Sequence, residues 1–195
     1  MISLKSYCGP LSEILGMTPD GLYERQRVLV RSGYLSGVVA GKGPGSGVRA
    51  TPRNVTRLLL STLATDSLSE IDDRTRKLGA LKQVDGKCPI TGEIRFQNAL
   101  ESILCNPETS KIVLGIRVRR EHTGASVIFR KPGDRHYDQS DFGQRDRLPT
   151  DPPPVPVGFG RRITATLEGF SVDMIADDVV DIAAGTPLRV HTPFK

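Results

Sequence analysis

Two Thr-Pro pairs constrain this chain more than any other feature. Thr18-Pro19 and Thr51-Pro52 each put a hydroxyl at a helix N-cap and a proline at the first helical position, where its missing N–H costs nothing. Between them lies Gly41-Lys42-Gly43-Pro44-Gly45-Ser46-Gly47, a run that no helix or strand interior tolerates. The chain must therefore turn tightly between two helices. Tyr34 to Val39 and Val48-Arg49 predict the two arms of a hairpin around that turn.

The flanking pattern fills in the rest of this segment. Pro10 predicts the start of a short helix through Leu11, Ile14 and Leu15, ended by Gly16, with Met17 as the turn. The helix capped by Thr18 is expected to run to Ser32 and to stop at Gly33. Stepping its residues by about 100° puts Leu22, Gln26 and Leu29 on one side, with Val30 at the flank. Asp20, Glu24, Arg27 and Arg31 fall on the opposite, fully polar side. After Thr51-Pro52, the spacing of Val55, Leu58, Leu59, Thr62 and Leu63 predicts one buried helix face.

The second half reads as helices and a small sheet. Ser67-Leu68-Ser69-Glu70 has the form of a capping box. It predicts a helix with Leu68, Ile71, Thr75 and Leu78 inward, ending near Gly79, and then a loop over 86–92. Phe96, Leu100, Ile103 and Leu104 predict another helix, stopped by Asn106-Pro107. Ile112, Leu114, Ile116 and Val118 alternate with Lys111, Val113, Gly115, Arg117 and Arg119. Val127 and Phe129 alternate with Ile128 and Arg130, so these two strands predict a hairpin. Residues 133–160 show no period and contain Asp151-Pro152-Pro153-Pro154-Val155-Pro156, which predicts a long exposed loop. Ile163, Ala165 and Leu167 predict a third strand. Ser171 predicts the cap of a last helix, with Val172, Ile175, Val179 and Ile182 inward and an acidic stripe of Asp173, Asp177 and Asp181 outward.

Charge is unevenly placed. Residues 1–66 hold eight of the 27 Lys and Arg but only four of the 22 Asp and Glu, so most of the formal net charge of +5 lies in the N-terminal third. A mild basic excess there suits attraction to phosphate. Cys8, Cys88 and Cys105 are too few and too scattered for a disulfide scaffold, and no apolar run is long enough to span a bilayer. These features lead us to expect a cytoplasmic protein with no membrane partner.

The chemistry of catalysis and of metals is sparse in this sequence. The glycine run leads into neither Lys-Ser nor Lys-Thr, and Val48-Arg49-Ala50 separates it from the next helix, so it is not a nucleotide cradle. Cys8, Cys88, Cys105, His122, His136 and His191 form no C-x-x-C or H-x-x-x-H pair, and no metal site or cofactor is expected. Glu121-His122 would point to opposite faces of a strand, and His136-Tyr137-Asp138 lies in the polar loop. No catalytic residue is assigned, and the chain is not expected to be an enzyme. Arg117 and Arg119 share a strand face that Arg130 and Arg162 extend; it reads as a solvated basic surface, with a second nucleic-acid surface as the alternative.

What remains is nucleic-acid recognition. A capped helix fits the major groove, and a basic hairpin beside it grips the flanking backbone. Side chains on the exposed N-terminal part of that helix would reach the duplex: Thr18, Gly21, Tyr23, Glu24 and Arg27. Arg27 suits guanine and Glu24 a cytosine amino group, while Thr18, Tyr23 and Arg31 suit phosphate. Lys42, Arg49 and Arg53 would add contacts from the hairpin and the helix after it.

The segment Leu11-Ser12-Glu13-Ile14-Leu15-Gly16-Met17-Thr18-Pro19-Asp20-Gly21-Leu22-Tyr23-Glu24-Arg25 resembles the helix-turn-helix of MerR-type and excisionase-type winged-helix proteins. The stretch to Thr65 also resembles the start of regulators carried by bacterial chromosomes and prophages. The resemblance implies helix, turn, recognition helix, wing and helix. It does not extend to inducer or metal sensing, because neither the long coiled coil nor the cysteine cluster of the MerR pattern follows.

The expected fold is therefore α+β, with a winged helix-turn-helix over residues 1–65. A C-terminal domain over 66–195 would hold helices and a small antiparallel sheet and serve self-association or partner binding. The expected function is sequence-specific binding of double-stranded DNA by a bacterial or phage transcriptional regulator, acting as a dimer or with a protein partner. The alternatives are a recombination directionality or architectural factor, and a protein-interaction module built on the same scaffold.

Overall fold

A computed structural model describes residues 2–39, 47–121, 123–144 and 164–188. The first helix, α1 (Leu4–Leu15), begins six residues before the proline expected to open it, with Pro10 inside. Ser3 is its cap, accepting the Ser6 N–H at 3.0 Å. The reason is burial: Leu4, Tyr7 and Cys8 continue the apolar stripe of Leu11 upstream of Pro10. Burying several such side chains, at about 1.5–3 kcal/mol each, outweighs the roughly 3 kcal/mol that an interior proline costs. Gly16 ends the helix in the left-handed region at φ 61°.

The next elements follow the Thr-Pro signals. In α2 (Pro19–Arg31) the Thr18 hydroxyl accepts the Gly21 N–H, and in α3 (Pro52–Ala64) the Thr51 hydroxyl accepts the Asn54 N–H. Between them, β1 (Val38–Val39) and β2 (Gly47–Val48) pair antiparallel. The first hairpin arm is shorter than expected. The N–H groups of Tyr34 and Leu35 both donate to Leu29 O, closing the end of α2 rather than joining a sheet.

Helix α3 is buried on more than its expected face. Asn54, Thr56, Leu60, Ser61 and Ala64 are buried along with Val55, Leu58, Leu59 and Leu63. Its hydroxyls are satisfied internally, Thr56 to Pro52 O at 2.9 Å and Ser61 to Leu58 O at 2.6 Å, so burying them leaves no orphaned donor. Its C-terminal carbonyls are taken by two arginines from elsewhere. Arg25 Nη1 donates to Ser61 O and Thr65 O at 2.8 Å each. Arg120 donates to Thr62 O and Leu63 O at 2.9 Å each.

The expected capping box does not form. Ser67 makes no cap bond, Leu68–Glu70 is a 3-10 turn, Leu68 is exposed, and α4 (Ile71–Ala80) starts only after it. Ser67 Oγ instead lies 2.9 Å from Ser69 Oγ. Helices α5 (Phe96–Cys105) and α6 (Pro107–Ser110) follow, the second capped by Asn106.

Four strands form an antiparallel sheet in the order β5–β4–β3–β6: β3 (Val113–Arg119), β4 (Gly124–Phe129), β5 (Asp138–Phe142) and β6 (Thr164–Glu168). Strand β5 lies inside the stretch expected to be loop. Of that stretch, 145–160 lies outside the described residues. Val84 N–H donates to Asp141 O, and Gly143 N–H to Lys82 O, so residues 82–84 run along the far side of β5. A register shift between Val113 and Gly115 turns Leu114 outward, contrary to the simple alternation, and puts Val113 inward with Ile116 and Val118.

Helix α7 (Gly169–Ala184) starts two residues before the expected cap at Ser171. Gly169 permits the turn from β6, since a Cβ there would meet Val113 O at 2.4 Å. Its inward residues are those expected, with Ala176 and Asp178 added.

Among the described residues the fold is thus mixed α+β, with seven α-helices and a small four-stranded antiparallel sheet. Packing does not break near residue 65. Buried residues from both segments form one apolar cluster, and Tyr7 Oη donates to the buried Asp178 carboxylate at 3.1 Å, tying α1 to α7. Among the described residues no helix is long and apolar enough to cross a membrane.

Candidate nucleic-acid interface

The candidate surface is built on α2. Thr18 and Asp20 are exposed at its start, and Gly21 sits close enough that a Cβ would stand 3.0 Å from Thr18 Oγ1. Gly21 therefore makes room for the cap. Leu22, Arg25, Gln26 and Leu29 turn inward, which leaves Asp20, Glu24, Arg27 and Arg31 along the outer side. Glu24 and Arg27 are joined at 2.7 Å, both about half exposed. This bond and the nearby Glu24 charge push the Arg27 pKa up, so its charge is secure. An exposed i,i+3 pair is cheap to open, so both ends stay available to a partner.

Tyr23 leaves this stripe and leans toward α1. The Lys5 ammonium lies 4.7 Å from its ring centroid, a cation–π contact that adds a positive charge beside α2. Local sequence signals hide Lys5, because they start α1 only after that residue.

The other expected residues lie at two further places. Arg49, half-buried, pairs through its backbone with Ser3 at the start of α1. Its carbonyl and that of Ser36 both accept from Asn54 Nδ2 at 3.0 Å, which holds the base of the hairpin against α3. Arg53 is exposed in the first turn of α3. Lys42 lies outside the described residues.

The remaining chemistry-bearing residues stay apart. His136 and Asp138 are exposed at the start of β5, Cys8 and Cys88 are buried, and Cys105 is exposed. Among the described residues no group of three or more His, Cys, Asp or Glu is placed to hold a metal ion. His122, His191 and Arg162 lie outside the described residues. The basic sheet face needs correction at one position. Arg119 is buried rather than solvated, donates to Gln144 O, and packs on Gly124, where a Cβ would collide with its guanidinium. In the acidic stripe, Asp173 accepts from Ser110 Oγ at 2.7 Å.

Compared with protein-family models, curated proteins and solved structures, the chain finds no match in any of the three.

Proposed function

We propose that this chain binds double-stranded DNA as a transcriptional regulator, reading sequence with α2 in the major groove. On this reading α1, α2, the β1–β2 hairpin and α3 act as a winged helix-turn-helix. The observation that supports it best is the outer side of α2. A helix capped by Thr18, one short turn after α1, presents Glu24, Arg27 and Arg31 in a polar stripe next to Lys5 and Tyr23. Arginine and glutamate there match the donor and acceptor needs of guanine and cytosine edges. Thr18, Arg31, Lys42, Arg49 and Arg53 would contact backbone phosphate. One such unit makes few phosphate contacts, so useful affinity would come from a dimer or a protein partner joined through the second half of the chain.

Selection from random duplexes by the full-length protein at physiological salt tests the reading. An enriched motif is expected, and Arg27→Ala should lose preference at one base by about tenfold or more. Lys42→Ala should instead weaken all duplexes and flatten the salt dependence. Absence of enrichment, with Arg27→Ala and Lys42→Ala both leaving binding unchanged, refutes it. That result would favour docking of a protein on the same face, a reading supported by the Glu24–Arg27 pair, which leaves the centre of the stripe electrically neutral.

A further inference from the structure

Beyond the end of α2, three arginines gather around one buried tyrosine. Arg53 and Arg57 are one turn apart on α3, and Arg76 comes from α4, outside the segment that the sequence marked as basic. The guanidinium carbons of Arg57 and Arg76 each lie 4.7 Å from the centroid of the Tyr34 ring. The ring is held at its far end, where its hydroxyl donates to Gln97 Oε1 at 2.6 Å. Gly79 allows this fit, since a Cβ would stand 3.1 Å from both the Tyr34 hydroxyl and Gln97 Oε1.

Two of the arginines have structural partners. Arg76 donates to the C-cap Ser32 O at 2.8 Å and closes the C-terminal end of α2, and Arg57 donates to Tyr34 O in the segment just after it. Helix closure does not account for the third, Arg53, which is exposed one turn away. Nor is the charge balanced. Asp72 is hydrogen-bonded to Arg76 at 2.8 Å, and Glu101 acts on Arg57 only through space. Burial, with Arg53 and Arg76 beside it, pulls the Arg57 pKa down. Arg57 Nε–H is buried without an acceptor, so moving this guanidinium toward a ligand sacrifices no bond at that atom. Planar guanidinium groups pinned by a ring suit the oxygens of a phosphate.

We propose that Arg53, Arg57 and Arg76 form a phosphate-binding cluster around Tyr34. Its use as a grip on the DNA backbone rests on the DNA reading above, and places a backbone phosphate beside the C-terminal end of α2. The test uses the full-length protein and the double variant Arg53→Gln/Arg76→Gln, which leaves Arg57 in place. Two quantities are measured: the salt dependence of duplex binding, and the Arg57 Nε–H resonance during titration with inorganic pyrophosphate.

The variant should lower the slope of log K against log salt by about 0.9 for each phosphate that is no longer neutralised, while Lys87→Gln, at an exposed loop position, leaves it unchanged. Pyrophosphate should shift the Arg57 resonance saturably in the native protein and not in the variant. Duplex binding with an unaltered slope in the variant, and no saturable shift, overturns the cluster and leaves the DNA reading standing. A saturable pyrophosphate shift without duplex binding does the reverse: the cluster stands as a phosphate site and its DNA role falls. Absence of both duplex binding and a pyrophosphate shift overturns both.

Discussion

Arg25 offers the sharpest test of how this fold is held. It occupies the inward stripe of α2, is buried, and its Nη1 donates to both Ser61 O and Thr65 O at 2.8 Å. These are the carbonyls that the end of α3 cannot satisfy within the helix. Arg25→Met keeps the apolar stem but removes the donor. A hydrogen bond to a charged group is worth about 1.5–3 kcal/mol, and the two bonds share one nitrogen, so they count for less than twice that. Burying the guanidinium carries its own desolvation cost, which lowers its pKa and which methionine escapes. The balance is a net loss of about 2 kcal/mol, or about 4–8 °C in Tm for a chain of this size. Urea unfolding measures it, with Arg31→Met, at an exposed position of the same helix, as the reference. Arg25→Lys, lacking the fork but keeping the charge, should fall between. If Arg25→Met is no less stable than Arg31→Met, arginine closure of α3 contributes nothing to the stability of the fold.

Two further outcomes follow from the interior. Burial pushes the Cys8 thiol up from 9.0 to about 11, so the folded chain keeps this proton at a pH where the unfolded chain loses it. The stability linked to it is complete below pH 9 and declines as pH rises toward 11; in urea titrations the native protein should lose about 2 kcal/mol more over that interval than Cys8→Ala, and equal losses would remove Cys8 as the cause. Gly169→Ala should destabilise by about 1–3 kcal/mol, because its Cβ would meet a backbone carbonyl that cannot swing away; a thermal melt unchanged from the native protein would contradict the tight turn between β6 and α7.

Local signals were legible wherever they were also sufficient. Both Thr-Pro starts form as written, because cap and proline act within one turn. The four aliphatic inward residues of α7 were readable from spacing, whereas the buried Asp178 was not. The buried Arg25 stands at the i+3 place of the Leu22, Gln26, Leu29 pattern, so its position was visible while its partners, 36 and 40 residues away, were not. Strand β5 has the sequence Asp-Gln-Ser-Asp-Phe, which carries no alternation of apolar residues; pairing with β4 makes it a strand. Pro10 misled because a helix start signal competed with a longer apolar stripe. In the candidate interface, the Glu24–Arg27 pair was implicit in its spacing. Lys5 over Tyr23 and the arginines around Tyr34 depend on contacts between helices, which no local window contains.

The bond between Tyr7 and Asp178 has a consequence for how the molecule is made. It joins residues 171 positions apart, and both are fully buried. As the chain leaves the ribosome, α1 emerges early, yet the helix that covers it comes more than 150 residues later. At roughly 5–20 residues per second, that face of α1 waits about 10 to 30 seconds without its partner. The N-terminal segment therefore cannot finish its core until α7 has been made, and a chain stopped before α7 would leave Tyr7 and its apolar neighbours facing water.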